Sequence, residues 1–561
     1  MRKALLIGLI PLLALAGTVT RTLTFDSRDL QFSEANGYDV VQLSDCVTTL
    51  DLGKPMLPEA VFNVLVPAGA TVTDIRVTPL ATQEIPGFFN IHPVQKPVVL
   101  SSTETPEFVE PDPAVYSSNQ PYPSEILSGF RTGTKSEYRV CGFGLRPLAY
   151  IPSTGKLTLS RTIQVEISYE EHDVMPKPIT EMQLGVFRND VAGMVINPED
   201  VTAFAPPVRM TYDTDVEYAI ITTSGLAPCF DTLVEWRTKK GYNTKVFTTD
   251  SISANYPSGR DLQERIRMCI IDQYENHGLI YVLLAGDNAQ VPGRRCYGYA
   301  VSAGSIPADV YYGDLQWSYD GNHNNVFGEA NGDTVDLYYD VYVGRASVDN
   351  TTQANTFVTK VLNYEKNPTT DYLKKVLLPY VMLFPSQNYS GKVVNDSVAE
   401  LSPASWTDDY IANPSTTTPM YNAINEGYHL SHVAAHGNAT GFYTYNSRAI
   451  YSTSTAGMQT NSTRPIILNT IACIAGNFEA SDCVAEAMMN NPSGGAVATI
   501  MNSREGLGQP PSTSLSERMD IRFYTYLFAD TLEIGMTHAG SKGQFAYLAQ
   551  VSSAWRWCYW T

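Results

Sequence analysis

The feature that most limits the fold of this chain is an alternation of apolar and amphipathic segments that starts near residue 218. Residues 218–221 and 280–284 are apolar runs of strand length, whereas residues 230–240 and 262–274 carry apolar side chains at helical spacing. Further runs of strand length lie at 245–247, 376–384, 429–435, 465–472 and 496–501. The alternation predicts an α/β domain over residues 211–561, with a mainly parallel sheet flanked by helices.

Residues 17–210 have a different pattern, which is typical of an all-β domain. Short β-rich runs at 61–66, 71–77 and 162–169 are separated by proline and glycine. We expect this region to form a β-sandwich that precedes the α/β domain.

The first sixteen residues have the composition of a secretory signal peptide. Arg2 and Lys3 precede an apolar run over residues 4–16, and residues 14–16 read Ala-Leu-Ala, a small-x-small cleavage pattern. This run is too short to span a bilayer, and no later apolar stretch reaches spanning length. We therefore expect an extracytoplasmic protein, secreted or at the cell surface, with no transmembrane segment.

The charge and the cysteine content argue against nucleic acid and a zinc knuckle. The 561 residues carry a formal net charge of −19, whereas proteins that bind nucleic acid usually present basic surfaces, so nucleic acid is not an expected partner. The eight cysteines include no C-x-x-C pair, which argues against a zinc knuckle, and their spacing leaves any disulfide pairing open.

Two predicted strands end in residues that suit nucleophilic catalysis. Residues 429–435 lead into His436-Gly437, and residues 465–472 lead into Cys473. Ligand sites in parallel sheets lie at the carboxyl ends of strands, so neighbouring strands would bring both side chains to one edge. A thiolate is a strong nucleophile, and a nearby imidazole can accept its proton and return one to a leaving amine. The amides of Gly437 and Cys473 are candidates to stabilise the oxyanion.

These motifs resemble those of the gingipain family of cysteine peptidases. His436-Gly437 matches the family's His-Gly pair, and residues 472–478 read Ala-Cys-Ile-Ala-Gly-Asn-Phe, as in its Ala-Cys-x-x-Gly-[Asp/Asn]-Phe motif. Collinear likenesses occur at 281–287, 340–345, 483–488 and 495–498. The resemblance implies a caspase-like fold and a secreted zymogen endopeptidase that cleaves peptide bonds through a Cys473–His436 dyad and an acyl-enzyme.

The resemblance also implies partners and processing. Residues 17–210 resemble the family's inhibitory propeptide, so the chain's own propeptide would be a partner beside protein or peptide substrates. Cleavage would fall in the 205–217 linker, near Arg209. Family members often carry further modules after the catalytic domain, which implies surface attachment through a region beyond Thr561.

The sequence departs from the family pattern at two places. The segment after the 376–384 strand reads Phe-Pro-Ser-Gln-Asn over residues 384–388, with no carboxylate to orient His436. The acid is absent, supplied elsewhere, or replaced by an amide such as Gln387. In the arginine-cleaving members of the family, an aspartate lies in the pocket for the side chain before the cleaved bond. Only Asp396 could correspond to it here, so arginine or lysine specificity is not predicted.

A calcium loop is predicted from residue spacing alone. Asp320, Asn322, Asn324 and Glu329 place oxygen side chains at positions 1, 3, 5 and 10 of a glycine-containing loop. Calcium binds six to eight oxygen ligands, which alternating residues in a tight loop can supply.

The resemblance implies a further structural calcium site. Asp287, Asp336 and Asp340 match its carboxylates, while Tyr338 and Asp333 would contribute main-chain carbonyl groups. An ordinary solvated acidic loop is the competing interpretation for both candidate sites.

Two other functions remain open. The same Cys-His chemistry could serve a surface transpeptidase, related to sortases in function, that passes the acyl group to an amine. The missing orienting acid would also suit a non-catalytic surface binding protein on a protease scaffold.

Overall fold

The computed structural model describes residues 15–104, 106–171, 176–212, 214–301, 303–330, 332–529 and 533–561. Most of the predicted signal peptide, residues 1–14, lies outside the described residues, and its last two positions begin the first strand. Within the described residues, no helix is both long and apolar enough to cross a membrane.

The N-terminal part consists mainly of antiparallel strands. They are β1 (Leu15–Thr24), β2 (Leu30–Ala35), β3 (Tyr38–Leu43), β4 (Cys46–Thr48), β5 (Pro58–Val66), β6 (Ala70–Ile85), β7 (Val98–Val99), β8 (Leu127–Lys135), β9 (Tyr138–Leu145), β10 (Leu148–Ile151), β11 (Lys156–Glu171), β12 (Ile179–Thr180) and β13 (Val208–Arg209). One sheet is built on β11, which pairs with β1, β6 and β10, and the other has the order β4-β5-β9-β8.

Alternation along the strands explains the sandwich. In β11 the side chains of Ile163, Val165 and Ile167 are buried at every second position. They share a core with Val64 of β5 and Phe143 of β9, so the two sheets pack face to face.

Two helices, α1 (Pro113–Tyr116) and α2 (Glu181–Met194), interrupt the β-rich part. A capping box between Thr180 and Gln183 starts α2, which is an addition to the predicted all-β architecture. Its residues Phe187, Val191 and Met194 pack into the core that continues into the second part of the chain.

The second part contains parallel strands separated by helices. Its strands are β14 (Tyr218–Thr222), β15 (Thr244–Thr248), β16 (Tyr281–Ala285), β17 (Arg295–Tyr299), β18 (Ala303–Pro307), β19 (Tyr342–Ala346), β20 (Lys375–Tyr380), β21 (Met382–Phe384), β22 (Tyr389–Ser390), β23 (Thr407–Ala412), β24 (Leu430–Val433), β25 (His436–Asn438), β26 (Gly441–Tyr443), β27 (Ala449–Ser452), β28 (Ile466–Thr470), β29 (Ala496–Met501) and β30 (Leu507–Gly508).

Its helices are α3 (Asp231–Lys239), α4 (Thr249–Asn255), α5 (Leu262–His277), α6 (Thr351–Lys366), α7 (Lys392–Leu401), α8 (Thr418–Glu426), α9 (Thr453–Gly457), α10 (Val484–Asn490), α11 (Ser516–Ala529), α12 (Ile534–Gln544), α13 (Ala546–Val551) and α14 (Ser553–Trp560). The predicted α/β class is confirmed, although the parallel strands form two sheets, β15-β14-β16-β19 and β23-β20-β24-β28-β29.

One apolar core joins these two sheets. Ile220 and Leu283 of the first sheet belong to the same buried cluster as Leu378, Leu430 and Ile467 of the second. Strands β24 and β28, which lead to the candidate catalytic residues, occupy interior positions of the five-stranded sheet.

Candidate active site

The strand register brings His436 and Cys473 to the same edge of the sheet. Strands β24 and β28 are parallel, and their partners run from Leu430↔Ile467 to Val433↔Thr470, an offset of 37 residues. His436 and Cys473 have the same offset, 473 − 436 = 37, and each lies three residues beyond the last partner in its strand. The two residues therefore leave neighbouring strands at the same level, as the sequence predicts.

Gly437 lies against the main chain at Cys473. A Cβ atom on Gly437 would lie 2.7 Å from the Ala472 Cβ and 2.9 Å from the Cys473 carbonyl oxygen, so only glycine fits without displacement. Ile474, the next residue after the cysteine, has a φ of +62°, and its N–H donates to the Arg504 carbonyl at 2.8 Å. A β-branched residue in the left-handed region is strained, and such strain concentrates at functional sites.

A main-chain carbonyl orients His436. Its Nε2 lies 2.9 Å from the carbonyl oxygen of Leu383, in β21, and the ring of Phe384 packs 6.4 Å away between centroids. Sequence reasoning considered only side chains for this role and could not have found a carbonyl group. Within the described residues, no hydrogen bond joins Gln387 to His436.

Asp396 lies at the protein surface and is not among the residues around His436. It is on the exposed side of α7, where it pairs with Lys392 one helical turn earlier and accepts from the Tyr410 hydroxyl at 3.0 Å. Its carboxylate is thus satisfied at the surface.

Burial keeps both candidate catalytic groups neutral. Cys473 is fully buried, and this burial raises the pKa of its thiol to about 11. His436 is 4% exposed, and burial lowers the pKa of its imidazole. Both shifts disfavour a thiolate–imidazolium pair in this state.

The N-terminal part covers the candidate catalytic residues. Strand β7 pairs antiparallel with β30, and the N–H of Leu100 donates to the Gly506 carbonyl at 2.9 Å. At the next residue, the Ser101 hydroxyl accepts from the Gly437 N–H at 2.8 Å and lies 3.2 Å from the Gly437 carbonyl oxygen. Ser101 also contacts Cys473 and His436. Sequence reasoning did not single out Ser101, because a serine in a loop carries no local signal.

Asp336 and Asp340 form a buried acidic cluster with Asp314. Asp336 accepts from the N–H groups of Thr134 at 2.8 Å and Tyr338 at 3.2 Å. Asp340 accepts from Ser136 and Leu315, and the hydroxyl of Tyr338 donates to Asn63 at 2.8 Å. Burial raises the pKa of all three carboxyl groups.

Asp287 does not join this cluster, which corrects the prediction that the three aspartates share one calcium ion. Strands β16 and β19 are parallel with Tyr281↔Tyr342 paired. Asp287 lies beyond the carboxyl end of β16, whereas Asp340 lies before the amino end of β19. A strand rises about 3.3 Å per residue, so roughly 20 Å of sheet separates them. The Asp287 carboxylate accepts from Ser347 at 2.8 Å instead.

The loop from Asp320 to Glu329 is closed by its own hydrogen bonds. The amides of Asn322 and Asn324 both donate to Glu329 at 2.6 Å, and Asp320 pairs with Arg260. Asp333 joins the loop by accepting from the N–H groups of Gly321 and Glu329.

The oxygen donors of both acidic regions suit calcium chemically, and Asp314 Oδ1 is buried without a hydrogen-bond partner among the described residues. In the same described ranges, no three His, Cys, Asp or Glu side chains are grouped in a way that could hold a metal ion.

The 205–217 linker is partly exposed. Met210 is 77% exposed and Tyr212 is 59% exposed. Arg209, the expected processing position, is held by two hydrogen bonds to Asp215 at 3.0 and 3.1 Å.

Comparisons with known proteins identify the family of this chain. The model of Peptidase family C25 matches residues 211–560, and the Propeptide_C25 model matches residues 18–202. Gingipain R2 of Porphyromonas gingivalis is 23% identical over 408 residues, which cover 70% of this chain and 50% of the relative. Gingipain R1 of the same species is 25% identical over 391 residues, covering 67% of this chain and 35% of the relative.

Among solved structures, the Arg-specific cysteine proteinase gingipain R aligns with a TM-score of 0.49 and 19% identity, covering 62% of this chain and 76% of that chain. The complex of the Porphyromonas gingivalis RgpB pro- and mature domains aligns with a TM-score of 0.47 and 20% identity, covering 62% and 77%. The sequence alignments with gingipains R2 and R1 span half or less of the full length of those relatives. The family-model match extends over most of the chain and shows that it belongs to peptidase family C25, the gingipain family of cysteine endopeptidases, with a propeptide of that family.

Proposed function

We propose that the chain is the zymogen of a secreted cysteine endopeptidase with Cys473 as nucleophile and His436 as acid and base. The observation that supports this proposal is the register of β24 and β28, since the two residues follow these neighbouring strands at the same level. Gly437, packed against the Cys473 main chain, supplies an amide where an oxyanion would form.

The hydrogen bond to Leu383 assigns roles to the two ring nitrogens of His436. A carbonyl oxygen only accepts, so Nε2 carries the proton of the neutral ring and Nδ1 is the basic atom. Nδ1 would take the thiol proton as the sulfur bonds to the substrate carbonyl carbon. The carbonyl π electrons move to oxygen, facing the Gly437 and Cys473 amides.

Collapse of this intermediate would break the C–N bond and leave a thioester. His436 gives its extra proton to the departing amine, then accepts one from the water that attacks the thioester. The acid product leaves and the proton returns to sulfur. A carbonyl can orient the imidazole in these steps without a third acidic side chain.

The proposal includes latency through the N-terminal part. The Ser101 hydroxyl accepts the hydrogen bond from the Gly437 N–H that the oxyanion would otherwise accept. The buried Cys473 is held as a thiol. A cut in the 205–217 linker, followed by movement of this segment, would expose the catalytic pair.

We also propose structural calcium in the region of residues 314–340. The support is chemical, since buried carboxylates are costly when charged and a hard cation would offset that cost. The candidate ligands are Asp314, Asp336 and Asp340 in one group and the side chains of the Asp320–Glu329 loop in another. Calcium binding would have to draw these side chains closer together, since no three acidic side chains among the described residues are spaced to hold a metal ion.

The test is hydrolysis of a mixed peptide library by full-length protein nicked in the linker, with calcium and reductant. Cleavage should vanish in Cys473→Ala and persist in Cys229→Ala, the matched change at a partly exposed cysteine of no proposed role. An electrophile should label Cys473 in the wild type and much more slowly in His436→Ala.

The same experiment separates the alternatives. If added amine captures most of the acyl group, the protein is a transpeptidase. If no library member is cleaved and Cys473 is not labelled after nicking, the proposal is overturned in favour of a non-catalytic binding protein.

A further inference from the structure

The segment over residues 98–101 crosses the catalytic residues as a peptide substrate would. Val98 and Val99 pair with β30, Leu100 hydrogen-bonds Gly506, and Ser101 contacts Gly437, Cys473 and His436. Leu100 and the Cys473 thiol share the Gly506 carbonyl as hydrogen-bond acceptor, so the bond between Leu100 and Ser101 is the counterpart of the bond that would be cleaved in a substrate. Leu100 is on the acyl side of that bond, where the side chain preceding a cleaved bond would sit.

The Leu100 side chain fills a pocket built against two glycines. Leu100 is fully buried. A Cβ atom on Gly508 would lie 2.8 Å from its Cδ2, and one on Gly506 would lie 3.3 Å from its Cδ1. Both positions thus have to remain free of side chains for a branched side chain to fit, and the space matches a group the size of leucine.

The carboxyl group of Glu517 borders the pocket, but burial disfavours its charged form in this state. Glu517 Oε2 lies 3.6 Å from the Cβ position of Gly508, and Oε1 accepts from the Tyr389 hydroxyl at 2.9 Å. Burial raises the pKa of Glu517 to about 8, so the group is mostly protonated at pH 7. A basic side chain would have to lose its water and also ionise this buried acid, whereas an aliphatic side chain fits beside the neutral carboxyl group.

We propose that this pocket selects a medium-sized apolar side chain, so that the enzyme cleaves after leucine and similar residues rather than after arginine or lysine. This inference rests on the proposed peptidase activity. The substrate class is inferred from this chain's own Leu100, Gly506 and Gly508, and not from the family fold.

The neighbouring residues provide a probe. Val98 and Leu100 belong to one buried cluster, and the partly buried Val99 packs against that cluster and against a second one. Peptides of the form acetyl-Val-Val-Xaa carrying a fluorogenic amide leaving group reproduce residues 98–100 with one variable position.

The experiment compares Xaa as leucine, methionine, arginine, lysine and aspartate on linker-nicked full-length protein. We expect kcat/KM for leucine to exceed that for arginine and lysine at least tenfold, with methionine next. A preference for arginine or lysine, or equal rates for all five, would overturn the inference and leave the peptidase proposal intact.

A second measurement does not depend on hydrolysis. Chloromethyl ketones of acetyl-Val-Val-Leu and acetyl-Val-Val-Arg alkylate a cysteine that they reach, and mass spectrometry reads the modification at Cys473. Faster labelling by the leucine reagent supports the pocket even if no amide is hydrolysed, in which case the peptidase proposal alone fails. Equal or faster labelling by the arginine reagent contradicts the inference.

Discussion

At the scale of single residues, the site depends on main-chain groups more than on side chains. Leu383 offers a carbonyl to His436, and Gly437 offers an amide to the oxyanion position. The sequence singles out His436, Gly437 and Cys473 because their residue types and strand-end positions are typical of nucleophilic catalysis, and their roles stay predictions. It could not predict Leu383, because any residue type provides the same carbonyl group.

Gly437→Ala tests the close approach of the two chain segments. The added methyl group meets Ala472 and the Cys473 carbonyl, so the amide would shift away from the developing oxyanion. We expect kcat of the nicked protein to fall about 10²- to 10³-fold, the usual cost of losing one oxyanion donor, with a smaller change in KM. Gly457→Ala is the control, since its methyl group would meet nothing within 4 Å. Unchanged kcat in Gly437→Ala would contradict the assignment.

The raised pKa of Cys473 predicts the pH dependence of alkylation in the intact chain. A thiol with a pKa of about 11 has roughly 10⁻⁴ of its population as thiolate at pH 7, against about 10⁻² for one with a pKa near 9. Reaction with iodoacetamide should therefore be slow at pH 7 and accelerate as the pH rises toward 11.

Peptide mapping by mass spectrometry would follow this reaction. Cys229 should react first, because it is the one cysteine in the described structure that is not buried. Rapid modification of Cys473 at pH 7 before nicking would show that the N-terminal part does not protect it.

At the scale of elements, the sequence predicted the long strands and missed the short ones that complete the site. Strands β24 and β28 lie in runs rich in apolar residues, at 429–435 and 465–472, and such runs can be recognised in the sequence even though they include Ser431, His432, Asn469 and Thr470. Strands β7 and β30 have two residues each and form only because distant segments pair. The predicted 376–384 strand divides at Val381, whose N–H turns to the Ala434 carbonyl.

Ser101→Ala tests the covering segment. The change leaves the Gly437 N–H without its acceptor, and one hydrogen bond contributes about 0.5–1.5 kcal/mol. We expect the intact chain to show about two- to tenfold faster labelling of Cys473. Ser102→Ala is a matched control, because the Ser102 hydroxyl caps only the N–H of Glu104. Equal labelling in the two variants would show that the Ser101 hydroxyl does not hold the latent state.

At the scale of the whole molecule, a buried ion pair within the N-terminal part also hydrogen-bonds the α/β part. Lys135, at the end of β8, lies 2.8 Å from Asp190 of α2 and 3.3 Å from the Tyr339 carbonyl. Asp190 also accepts from the Tyr342 hydroxyl of β19 at 2.5 Å. Both charged side chains are at most 1% exposed, and their hydrogen bonds to Tyr339 and Tyr342 connect the N-terminal part to the α/β part.

Lys135→Met should destabilise the protein strongly. It leaves Asp190 buried without its cation, and breaking a buried pair typically costs about 3–5 kcal/mol. Denaturant titration would show an earlier midpoint, while Lys156→Met, at the exposed pair with Glu84, should change stability by at most about 1 kcal/mol. Adding Asp190→Asn to Lys135→Met should recover part of the loss. Similar midpoints for the two lysine variants would refute the role of the buried pair.

Chelation tests the proposed calcium at the same scale. A cation that binds only the folded state raises Tm, so removing it from full-length protein with EGTA should lower Tm, and added calcium should restore it. Magnesium at equal ionic strength is the control, because it tolerates a narrower coordination geometry. An unchanged Tm would contradict the proposed structural calcium.

The pairing of β7 with β30 makes the N-terminal part a tethered competitor for its own substrate groove. While the chain is intact, the segment is present at a fixed effective concentration, in the millimolar range for short flexible connections, so dilution cannot relieve latency. Once the linker is cut, the same contacts become an ordinary two-body equilibrium. A single cleavage would then activate only the molecules from which the N-terminal part has dissociated, and the fraction of active protein would rise as the sample is diluted.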